Sequence, residues 1–120
     1  MDSAQPLVQI LGRAYGPAHA VPRELSELPG IERAVIVGSW ARRYHGEAGP
    51  PPNDVDVIVV GAPPPRALRQ ANARLEEQLG VPVQLTVVTP EAWDEQPTRF
   101  LQTVRNSSHL TVIDNTGAGQ

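Results

Sequence analysis

Val35-Ile36-Val37-Gly38-Ser39-Trp40-Ala41-Arg42-Arg43 is followed, after a Pro/Gly-rich loop, by Asn53-Asp54-Val55-Asp56-Val57-Ile58-Val59-Val60. The first run is apolar, enters a Gly-Ser turn and continues as a short basic segment of helical character. The second opens with two carboxylates one residue apart. Their continuous β-branched content predicts strands over 31–37 and 55–60, each covered on both faces. Side chains alternate along a strand, so Asp54 and Asp56 should project from one side, about 6–7 Å apart. Two carboxylates so spaced can grip one divalent cation. A Gly-Ser turn opening a helix presents free backbone N–H groups to a phosphate. Both features at one sheet edge predict a site for a magnesium nucleoside triphosphate.

Leu7, Ile10, Leu11 and Tyr15 fall at helical spacing, so 5–15 reads as an amphipathic helix closed by Gly16-Pro17. A second short helix is expected over 21–28, with Pro22 near its start. The stretch from Gly46 to Asn53 reads as a proline-stiffened loop, either a connector or a cover over a nucleotide. Leu68, Ala71, Leu75 and Leu79 make one apolar stripe of a helix over 66–79 that Gly80 caps. Val83, Leu85 and Val87 alternate with Gln84, Thr86 and Val88 in a third strand. A helical turn starts at Pro90, and a helix over 97–105 is expected to pack Phe100, Leu101 and Val104. A closing strand is expected over 109–113. The pattern is α/β, a small mixed sheet backed by helices. The division expected is an N-terminal helical segment (1–30) packed on the domain, the domain itself (31–114) and a disordered tail (115–120).

Gly38-Ser39 followed by Asp54-Val55-Asp56 and an apolar run resembles the signature of the nucleotidyltransferase domain of the DNA polymerase beta superfamily, in its minimal bacterial form. Similar domains sometimes accompany a winged-helix regulator. Val83–Trp93 and Phe100-Leu101-Gln102-Thr103-Val104-Arg105 continue the similarity, which spans about residues 5–113. The resemblance implies a nucleotidyltransferase-like fold, with Asp54 and Asp56 as catalytic metal ligands for magnesium. It implies that Gly38 and Ser39 hold the triphosphate, with Arg42 and Arg43 near enough to steady phosphates. A third carboxylate on a later strand normally completes such a site. The segment 81–89 contains no acid; the position falls on Gln84 or Thr86, and either leaves a neutral side chain there. Losing a metal-binding carboxylate raises the barrier by several kcal/mol. Glu91 and Asp94 lie just beyond the strand, either reaching inward or sitting as acids at a helix start.

The surrounding residues carry plainer readings as well. Asn53-Asp54 could form a turn, but Asp56 interrupts a strand that otherwise wants burial, which is costly without a partner. Arg42 and Arg43 could face solvent or pair with the aspartates. Trp40 could stack on a base or pack on the sheet, and Trp93 reads as a core anchor. His45 lies in the loop near the site; His19 and His109 are isolated, and no histidine spacing suggests zinc.

At 120 residues the chain is expected to be one domain. Its apolar content of 40% supports a folded globule despite 13 prolines. No run approaches the roughly 18 apolar residues of a membrane helix, and the first residues predict a cytoplasmic start. There is no cysteine, hence no disulfide. All ten basic residues are arginine, and the net charge of −3 argues against strong nucleic-acid binding by this chain alone. Two functions remain. One is a nucleotidyltransferase moving a nucleoside monophosphate onto a protein or small-molecule hydroxyl. The other is a catalytically impaired binding module, an antitoxin or regulatory subunit acting through a helical toxin or winged-helix partner protein or as an oligomer. The neutral position at Gln84 or Thr86 leans toward the second.

Overall fold

β1 (Ile31–Val37) is one of the two central strands of the sheet, paired on both sides. The computed structural model describes residues 16–46, 49, 52–95 and 98–115. β2 (Val55–Gly61) runs antiparallel to β1 on one side, and β4 (His109–Asp114) antiparallel to it on the other. β3 (Val83–Val88) pairs parallel to β2, giving the order β3-β2-β1-β4. Five helices are described: α1 (Pro17–Leu25), α2 (Gly38–Tyr44), α3 (Pro65–Leu79), α4 (Pro90–Glu95) and α5 (Arg99–Asn106). The chain is an α/β fold with a small mixed sheet backed by helices.

The two faces of the sheet are covered separately. On one, Ala34, Ile36, Val55, Val57 and Val59 pack with Val21 and Leu25 of α1 and Ala71 and Leu75 of α3. On the other, Val35, Ile58 and Val60 pack with Trp93 of α4 and Leu101 and Val104 of α5. Burial on both faces is why β1 and β2 read as unbroken β-branched runs rather than alternating ones.

Three sequence expectations meet the structure differently. The helix expected over 21–28 begins instead at Pro17 and ends at Leu25. Proline is well suited to a first helical position, where its missing N–H has no partner to lose. Pro22 therefore lies inside α1 rather than near its start. Phe100, expected in the core, is 54% exposed. Thr98 caps α5 by accepting from the Leu101 N–H at 3.2 Å. With the buried face of α5 carried by Leu101 and Val104, Phe100 points to one side of it. Third, Asn115, placed in the tail, donates its N–H to the Glu32 carbonyl at 2.7 Å and so continues the pairing of β4 with β1 by one residue. The helix expected over 5–15 and residues 116–120 lie outside the described residues.

Candidate functional site

Gly38 joins β1 to α2 with φ +72°, a backbone conformation open to glycine and strained for other residues. A Cβ at this position would come within 3.2 Å of the Asp56 carboxylate oxygen Oδ2. The glycine thus does two things: it makes the strand-to-helix turn, and it lets that carboxylate lie against it. Val37, which precedes the turn, is the register partner of Asp56 on β2.

On its other side, Asp56 is the register partner of Gln84 on β3. That register is pinned locally. The Val83 N–H donates to Glu76 Oε2 at 2.9 Å, while Asn72 Nδ2 donates to the Val83 carbonyl at 2.8 Å, both from α3. The Val55 N–H adds a bond to the Pro82 carbonyl at 2.9 Å. One row across the sheet therefore runs His109, Val37, Asp56, Gln84, and the next on the same face runs Thr111, Val35, Ile58, Thr86. Gln84 is the side chain beside Asp56, with Thr86 one row further along the same face.

Asp56 is half-buried, and its carboxyl is held above the ordinary value of 3.8. The larger cause is burial, which disfavours the charged form; the second is the Asp54 charge nearby. Asp54 itself is exposed, just ahead of β2. Among the described residues no arginine forms an ion pair with Asp56; the ion pairs described are Arg33 with Asp114 and Arg74 with Glu24. Two carboxylates close enough to repel, one of them partly desolvated and without an ion-pair partner among the described residues, suit a divalent cation as a donor set: hard oxygens with surplus negative charge. No group of three histidine, aspartate or glutamate side chains in metal-holding arrangement occurs among the described residues.

The two arginines of α2 do different things. Arg42 Nη2 donates to Ser39 Oγ at 2.9 Å, so it stays at the turn. Arg43 reaches the Gly49 carbonyl in the loop and lies 5.9 Å from the Trp40 ring centroid. Trp40 packs against the larger core cluster and against Tyr44, 5.6 Å between ring centroids. Its Nε1 is buried without a hydrogen-bond partner among the described residues. His45 turns toward β4, its Nε2 lying 2.9 Å from the His109 carbonyl oxygen. Glu91 and Asp94 are exposed on α4.

Beside Asp56 lies a cleft of about 250 Å³, lined by Val37, Asp56, Ile58, Gln84, Thr86 and Phe100. Val37 and Phe100 were not among the expected site residues. Val37 was signalled by its place just before the glycine turn; Phe100 had no sequence signal, because helical periodicity does not say where α5 docks. No family model matches the chain, and no curated protein or solved structure matches it.

Proposed function

We propose that the chain binds a magnesium nucleoside triphosphate at Asp54, Asp56, Gly38 and Ser39, in the manner of the polymerase-beta-type nucleotidyltransferases it resembles. The observation that carries this reading is the close packing of Gly38 against a half-buried Asp56 that has no arginine partner among the described residues and whose charge is further opposed by Asp54. A structural carboxylate at this depth would be expected to have a cationic or hydrogen-bonding partner. Bound magnesium would neutralise the aspartates and polarise the phosphate under attack. The chain's own residues would supply the rest: Ser39 and Arg42 at the turn for the phosphate oxygens, and Asp54 and Asp56 for orientation. Transfer would join the nucleoside monophosphate to a protein or small-molecule hydroxyl, releasing pyrophosphate.

A second reading is favoured by a specific observation, the Gln84 amide in register with Asp56. An amide offers an oxygen but carries no charge and takes no proton. On this reading the domain holds nucleotide with impaired catalysis and acts through a partner protein, as an antitoxin or a regulatory subunit. The test is titration of the protein with magnesium and each nucleoside triphosphate, followed by a search for labelled product on candidate hydroxyls. Asp54→Asn and Asp56→Asn are expected to abolish magnesium-dependent binding while leaving the fold intact. Wild-type affinity in both variants would mean that the aspartates are structural, and the reading would be dropped. Binding with product supports the enzyme, and binding without it supports the partner-dependent module.

A further inference from the structure

Among the described residues Phe100 and Val87 are the large apolar side chains left exposed, and Phe100 borders the cleft that Asp56 opens into. Resting on the magnesium-nucleotide reading above, we propose that Phe100 is the stacking platform for the nucleobase, with Gln84 and Thr86 reading the base edge. The cleft, at about 250 Å³, falls below the roughly 300–1,000 Å³ of a full small-molecule site. It holds a ring system but not a whole nucleotide. The phosphates must then lie outside it, on the side of Asp56 where Gly38 packs. The walls Val37 and Ile58 suit the flat body of a base, while Gln84 and Thr86 can each both donate and accept hydrogen bonds. An aromatic face at the rim completes the arrangement, because every base presents a π-face to it.

The experiment compares two probes on the whole chain, magnesium ATP and magnesium tripolyphosphate, which has no base. Phe100→Ala is expected to weaken magnesium ATP by about tenfold, a typical loss for one base–aromatic stack. It is expected to leave tripolyphosphate affinity unchanged. Phe100→Tyr should retain ATP affinity and Phe100→Leu should not, which separates a ring from mere apolar area. The exposed position should leave the melting temperature of all three variants at the wild-type value. Unchanged ATP affinity in Phe100→Ala, equal weakening of both probes, or full retention by Phe100→Leu would each overturn the stacking role. In those cases wild-type tripolyphosphate binding that is lost in Asp56→Asn would still uphold the metal–phosphate reading. If wild type binds neither probe, both readings fall.

Discussion

If Asp56 holds magnesium as proposed, binding and stability pull in opposite directions there. Its carboxyl is raised above 3.8, by burial first and by Asp54 second, so the native state binds its proton more tightly than the unfolded chain does. The penalty for ionising it is absent below the unfolded value and fully present above the folded one. Asp56→Asn removes that penalty. The metal-free variant is therefore expected to melt slightly above wild type at pH 7, with the difference closing as pH falls toward 3.8. Excess magnesium nucleotide should reverse the order, because it stabilises only the chain that binds it. Melting curves across pH, with and without magnesium nucleotide, check both; a metal-free Asp56→Asn less stable than wild type at pH 7 would contradict the sign. Gln84 is the complementary residue. Gln84→Asp, in register beside Asp56, is expected to raise transfer tenfold or more where wild type binds nucleotide but transfers slowly. The same change should lower the metal-free melting temperature, since it adds a third negative charge to the cluster. Rescue that survives in an Asp56→Asn background would show that the new carboxylate acts elsewhere.

At the scale of elements, the helices on the larger core face are held by both packing and charge. Arg74 Nε donates to Glu24 Oε1 at 2.6 Å, and Gln78 Nε2 donates to Glu24 Oε2 at 2.5 Å, joining α3 to α1. The Arg74 hydrogen bond is the main cause that holds the Glu24 carboxyl below its ordinary value of 4.5, with burial opposing it. Here the sign is the reverse of that at Asp56: the stabilisation is present above 4.5 and lost as pH falls through the lowered folded value. Because Arg74 is half-exposed, the contribution is modest, and Glu24→Ala is expected to cost about 1 kcal/mol at neutral pH. Urea unfolding at pH 7 and at about pH 3 measures it. A cost that persists undiminished in acid would assign the effect to packing instead. Glu76 and Asn72 act on the same helix with a different consequence, because they bond both backbone groups of Val83 and so decide which residue of β3 stands beside Asp56.

For the molecule as a whole, the sheet topology gathers the site. The C-terminal end of β1 meets the starts of β2 and β4, and β2 and β3 start side by side because they are parallel. Gly38, Asp56 and Gln84 come from three separate segments yet occupy adjacent positions along one edge. The face they share is the one covered by α4 and α5, whose buried residues form the smaller of the two clusters. These two short helices leave the cleft beside Asp56 open. No described helix is long and apolar enough to cross a membrane.

Features that depend on near neighbours along the chain were legible in the amino-acid order. The β-branched runs made β1 and β2, the stripe of Leu68, Ala71, Leu75 and Leu79 made α3, and Gly80, at φ +73°, closed it. The period of two placed Gln84 and Thr86 on one face, and the Gly-Ser turn marked where the chain leaves β1. Strand and helix periodicities are local, so they can be read residue by residue. Folding in three dimensions set Gln84 rather than Thr86 in register with Asp56, because register depends on α3 side chains binding Val83 from another layer. It also decided that Gly38 packs against Asp56, across a strand pair with a long intervening loop, and that Phe100 faces the cleft instead of the core. These are matters of how separate elements dock, and the alternation of side chains within one element carries no information about the element opposite.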